Sequence, residues 1–89
     1  MSHEHIPDGW QATEKTIHRT FPTATFVRGV AFITAIRDLA EGVNHHPDII
    51  LTYPTVIVTL TTHDEGMVTM KDMALAEQIN RIWAEQFSA

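Results

Sequence analysis

The apolar positions fall into four stretches along the chain. Residues 10–21 alternate in part (Trp10, Ala12, then Ile17, Arg19 and Phe21), which predicts a weak pair of short strands. Pro22 and Thr23 open a helical rhythm that runs to about Val43, with Thr23 as the expected N-cap. Phe26, Val30 and Ile33 line one side of that helix, and Phe32, Ile36, Leu39 and Val43 line another. Only a narrow polar stripe remains, at Thr34, Arg37, Asp38 and Glu41. A helix apolar on more than one side is usually covered on more than one side. In a chain this small, the second cover is expected to be another subunit.

Pro47 stops the helix, because its ring disfavours helical geometry at the residue before it. Residues 49–61 are rich in Ile, Val, Thr and Tyr, which suit pleated strands. Pro54 interrupts them, so two strands joined by a tight turn at Tyr53, Pro54 and Thr55 are predicted. Val56, Val58 and Leu60 face one way; Thr55, Ile57, Thr59, Thr61 and, if the strand persists, His63 face the other. Asp64, Glu65 and Gly66 form a turn, and Thr69 with Asp72 three residues on is close to a capping box. A last helix over residues 70–87 spaces Leu75, Ala76, Ile79, Ile82, Trp83 and Phe87 along one side. The whole predicts an α+β domain, a small and mostly antiparallel sheet with two helices on one face.

Composition narrows this picture. The chain has 89 residues and no cysteine, which sets it as one small domain, residues 9–89, behind a flexible tail of residues 1–8 that carries His3 and His5. A domain of this size has a marginal core of its own and commonly gains stability from a partner copy. Eleven acidic against six basic residues give a formal net charge of -5, and the cations are scattered, which excludes a nucleic-acid footprint. No secretory h-region and no apolar run near the ~20 residues of a membrane span is present, so a cytoplasmic, soluble protein is expected.

The candidate chemistry lies in the histidines. His45 and His46 fall where the first helix ends and His63 where the second long strand ends, positions from which loops reach a shared cleft. Glu41 precedes His45 by four residues, so a continuous helix would put both on one face, the carboxylate holding the ring. Taken singly, each residue has a plainer reading: a histidine as a helix C-terminal partner, Asp72 as a capping carboxylate, Pro47 as a helix stop, Tyr53 as an ordinary strand residue. A zinc site from His45, His46, His63 and Glu41 is the weaker alternative, because neighbouring side chains diverge.

Together, Glu41-x3-His45-His46-Pro47-x5-Tyr53-x9-His63-x8-Asp72 resembles the signature of the pterin-4a-carbinolamine dehydratases. The resemblance extends to Gly9-Trp10, Phe26, Phe32, Thr61-Thr62-His63-Asp64 and Leu75-Ala76. It implies a four-stranded antiparallel sheet with helices on one side, in a homodimer or homotetramer. It implies dehydration of 4a-hydroxytetrahydropterin to quinonoid dihydropterin, recycling the pterin used in aromatic amino-acid hydroxylation, with the pterin as substrate and no metal or other cofactor. By the same resemblance His45 and His63 are the acid–base pair, His46 the main substrate-binding histidine and Glu41 the group that orients His45. Asn44 to His46 and Thr61 to Asp64 would hold the pterin ring, with Pro47, Tyr53 and Asp72 in support. A non-catalytic binding, assembly or coactivator protein on the same fold is the alternative. Three departures from the family pattern stand out: no helix is expected before Gly9, Met67 replaces a usual glycine, and Asn44 replaces a frequent aspartate.

Overall fold

In the computed structural model, which describes residues 6–88, four strands and two helices follow one another as β1 (Gln11–Ala12), β2 (Ile17–Phe21), α1 (Phe26–Val43), β3 (Asp48–Leu51), β4 (Val56–Leu60) and α2 (Met70–Ile82). The strands form one antiparallel sheet in the order β1-β2-β4-β3. The α+β architecture expected from the sequence is the one observed.

Period-two alternation puts Ile17 and Phe21 of β2, and Val56, Val58 and Leu60 of β4, on one fully buried face. Phe32, Ile36 and Ala40 of α1 and Leu75, Ala76 and Ile79 of α2 complete that core. Phe21 and Phe32 meet at 4.8 Å between ring centroids, and Trp83 lies 5.2 Å from each. The expected last helix continues to Phe87 but changes form on the way. Residues Trp83–Phe87 make a π-helical turn, closed by the Ser88 N–H on the Trp83 carbonyl at 2.7 Å. That widening stacks Phe87 on Trp83 and brings Phe87 to 5.2 Å from Phe32.

One expectation shifts. The N-cap of α1 is Thr25, whose hydroxyl accepts the Arg28 N–H at 3.1 Å, rather than Thr23. Thr23 is fully buried, and its hydroxyl has no hydrogen-bond partner among the described residues. The chain turns only at Ala24, whose φ of 74° delays the helix by two residues. The second side of α1 is open: Phe26, Val27 and Val30 are exposed, Val27 at 78%.

Residues 6–8, expected in the flexible tail, lie against the rest of the domain. His3 and His5 lie outside the described residues, but Pro7 is buried and Ile6 packs on the core. The Asp8 carbonyl accepts from Asn80 Nδ2 at 2.9 Å and from Arg19 Nη1 at 3.3 Å, while Trp10 Nε1 donates to Asn80 Oδ1 at 2.7 Å. Gly9 is required there: its φ is +84°, and a Cβ would lie 2.7 Å from Arg19 Nε. Burial pushes the Arg19 guanidinium below its usual pKa, against the pull of nearby Asp8.

Candidate active site

Every candidate site residue except Tyr53 lies at or near one end of the β3–β4 hairpin. Asn44 ends α1 with φ 54° and ψ 45°, a left-handed conformation that asparagine tolerates better than most residues. The chain then turns back, and both the Asn44 and the His45 N–H bond the Ala40 carbonyl. This turn overrules the expected pairing of Glu41 with His45. A four-residue spacing puts two side chains on one face only while the helix lasts, and Asn44 is already outside it. Glu41 Oε2 instead lies 2.6 Å from His46 Nε2, and His45 Nε2 lies 2.6 Å from Asp72 Oδ1.

The sheet register explains why His45 meets Asp72. Asp48 pairs with Thr59, and continuing that register beyond the strands sets His46 opposite Thr61 and His45 opposite Thr62. Thr62 sits in a one-residue bridge to Met67, and the turn of residues 62–66 carries His63, Asp64 and Gly66. The left-handed position of this turn is Gly66, with φ +67°, so Met67 needs no positive φ. The methionine expected to strain this turn is thereby accommodated.

Asp72 is the centre of the arrangement. The capping box expected at Thr69 and Asp72 is present, with Asp72 Oδ2 accepting the Thr69 N–H at 2.9 Å. Oδ2 also accepts from the Thr62 hydroxyl at 2.7 Å, and the Thr62 and Thr69 hydroxyls lie 2.7 Å apart. Asp72 is 0% exposed and the His45 side chain 13%. One buried carboxylate thus ties the start of α2, the end of β4 and the loop after α1. Reasoning from the sequence found the cap and missed that the same carboxylate reaches His45. It also missed Thr69 as part of this network, since nothing in a pattern of caps points to a histidine.

The other predicted residues divide. Thr61 is tied to the β1–β2 turn, its hydroxyl donating to the Lys15 carbonyl at 2.7 Å, and Thr62 points inward. His63 and Asp64 are exposed beside Thr62. Tyr53 is 69% exposed in the turn at the opposite end of the hairpin, about 15 Å along the strands at ~3.3 Å per residue. It does not join the histidines within one chain. A shallow depression of about 190 Å³ between α1 and β3 is lined by Arg37, Glu41, His46 and Pro47 over Ile33, Ile36 and Ile49. A larger one, about 300 Å³, lies among Asp8, Glu77, Asn80 and Arg81 and includes none of the candidate residues. Among the described residues, no three His, Asp or Glu side chains gather as metal ligands, and no helix is long and apolar enough to cross a membrane.

The fold and the site define a small α+β protein with a histidine-rich loop cluster braced by a buried carboxylate. The chain belongs to the pterin 4 alpha carbinolamine dehydratase family, whose model matches residues 1–82. A relative from Herpetosiphon aurantiacus, whose name gives it this dehydratase provisionally, is 46% identical over 85% of this chain and 79% of its own length. One from Sulfolobus acidocaldarius, named likewise, is 39% identical over 84% and 82%. Among solved structures, the crystal structure of a transcriptional coactivator/pterin dehydratase from Brucella melitensis superposes with a TM-score of 0.80 at 36% identity, covering 84% of this chain and 82% of the other. A pterin dehydratase-like RuBisCO assembly factor of the alpha-carboxysome shares the fold, with a TM-score of 0.69 at 22% identity over 90% and 95%.

Proposed function

We propose that this protein dehydrates 4a-hydroxytetrahydropterin to quinonoid dihydropterin and water by general acid–base catalysis. The reaction breaks the bond from C4a to its hydroxyl oxygen as a proton is delivered to that oxygen. The N5–H proton is removed, the N5 electrons close a C4a–N5 double bond, and water leaves. Atoms and electrons balance without a redox partner. Histidine suits both transfers, since its ordinary pKa of about 6.5 lets it give and take protons near neutrality. Each positioned acid or base is worth roughly 10²–10⁴-fold.

The observation that carries this reading is His45, held 2.6 Å from a fully buried Asp72 in the same loop as His46. His45 and His63 are the acid–base pair, and His46, held by Glu41, is the main pterin-binding histidine. Asn44 and the backbone of residues 61–64 flank the ring, which is rich in amide-like donors and acceptors. Work in the cytoplasm, as part of tetrahydropterin recycling after aromatic amino-acid hydroxylation, is the setting this chemistry fits. The dehydration rate of freshly generated 4a-hydroxytetrahydropterin, followed by absorbance, tests it. Wild type should accelerate the loss of water and a His45→Gln/His63→Gln double variant should not; Gln at position 45 can still donate to Asp72. Folded wild type that leaves the rate unchanged would overturn the reading.

The same proposal includes self-association. Phe26, Val27, Val30 and Val43 leave apolar surface of α1 in water, on a chain with a small core of its own. A homodimer or homotetramer covers it. Light scattering during gel filtration should give two or four chain masses, and Val27→Glu with Val30→Glu should lower that number. A monomeric wild type would contradict it. An assembly-type protein on this fold is the rival, and pterins that fail to raise the melting temperature would favour it.

A further inference from the structure

With Asp72 as an acceptor, the hydrogen bonds around it admit one consistent set of proton positions. A backbone N–H can only donate, so Thr69 N–H donates to Asp72 Oδ2. Thr62 Oγ1 has a single proton and gives it to the same Oδ2. Its contact with Thr69 Oγ1, 2.7 Å long, then needs the Thr69 hydroxyl as donor, and Thr69 Oγ1 accepts the Lys71 N–H at 3.2 Å. Every hydrogen runs one way along this chain and ends on the carboxylate. Asp72 is also residue N3 of α2, where the positive end of the helix dipole faces a carboxylate. Two donors and a helix N-terminus converge on one fully buried group, which is the setting of a carboxylate that acts only as an acceptor.

Its free oxygen, Oδ1, faces His45 Nε2 at 2.6 Å. An acceptor there leaves the ring nitrogen no choice but to donate. We infer that Asp72 is a positioning residue which, together with Thr62 and Thr69, fixes His45 as the Nε2–H tautomer and leaves Nδ1 as the nitrogen that takes or gives the proton in the reaction. Glu41 does not do this for His46 to the same degree, because that pair is mostly exposed and both groups can turn away. The tautomer follows from the hydrogen bonds alone. Only its effect on turnover rests on the dehydratase reading.

Asp72→Asn separates positioning from structure. The asparagine carbonyl can accept from Thr69 and Thr62 as before, so the cap survives. Its amide then points at His45 as a donor and demands the opposite tautomer. In serine-protease triads the same exchange turns the ring to the wrong tautomer and lowers kcat by about 10⁴. The experiment is ¹⁵N spectroscopy of the histidine side chains above the pH at which the rings titrate, with the His45 signals assigned by their loss in His45→Gln. Wild type should show His45 protonated at Nε2, and Asp72→Asn should show it protonated at Nδ1. Wild type protonated at Nδ1, or an Asp72→Asn ring still protonated at Nε2, would overturn the inference. If Asp72→Asn does not fold, the wild-type spectrum decides by itself. In the dehydration assay, Asp72→Asn should lose about 10²–10⁴-fold in kcat with little change in KM. A tautomer switch in a wild type without dehydratase activity would uphold the inference and sink the function; an unswitched tautomer in an active wild type would do the reverse.

Discussion

Among the described residues, two histidine–carboxylate pairs share the same 2.6 Å separation, one residue apart in the loop after α1. His46 and Glu41 are 54% and 68% exposed, whereas His45 and Asp72 are 13% and 0%. Distance does not distinguish them; surroundings do. An exposed pair gains little over hydration and is screened by salt, so it is worth about 0–1 kcal/mol. The buried pair is largely shielded from solvent, and removing either partner would leave the other poorly satisfied. The chain therefore has one histidine held in a fixed frame and one free to adjust, which suits a proton-transfer group beside a ligand-binding group.

Several substitutions would break or sharpen this contrast. Asp72→Ala has the largest expected effect, about 3–5 kcal/mol of lost stability in denaturant unfolding, because it strands His45, Thr62 and the Thr69 N–H together. Thr62→Val keeps the shape and removes one donor to Asp72, so a loss of about 1–2 kcal/mol is expected by the same measurement. Thr23→Val goes the other way. Its buried hydroxyl has no partner among the described residues, and replacing it by a methyl should raise stability by about 1 kcal/mol; a loss of stability would mean that the hydroxyl is satisfied after all. Glu41→Ala should change stability by no more than about 0.5 kcal/mol. Raising salt to about 1 M should erase even that difference, while leaving the cost of Asp72→Ala nearly intact.

The fold was legible from periodicity because each element has one clear reason to exist. Val56, Val58 and Leu60 alternate onto the core, Pro47 and Pro54 bound β3, and Thr69 with Asp72 caps α2. The start of α1 was misplaced because Thr23 and Thr25 are equally good caps as residue types, and only the turn at Ala24 decides between them. The resemblance named the candidate residues, but not the contacts among them. Spacing along a helix favoured Glu41 with His45, yet the left-handed Asn44 cut the helix short and sent His45 across the sheet end to a residue 27 positions away. Tyr53 stands apart from the histidines within one chain for a related reason: a linear signature does not reveal that a hairpin carries two of its members to opposite ends. Contacts that depend on where a loop turns are tertiary facts, and local pattern does not encode them.

The central claim is a division of labour between a fixed His45 and an adjustable His46 in a pterin-dehydrating site. It is tested most directly by steady-state dehydration of 4a-hydroxytetrahydropterin with His45→Gln and His46→Ala measured side by side. The first should lose about 10²–10⁴-fold in kcat with KM nearly unchanged, and the second should chiefly raise KM. Equal and mild effects from the two, in protein shown to be folded, would contradict it.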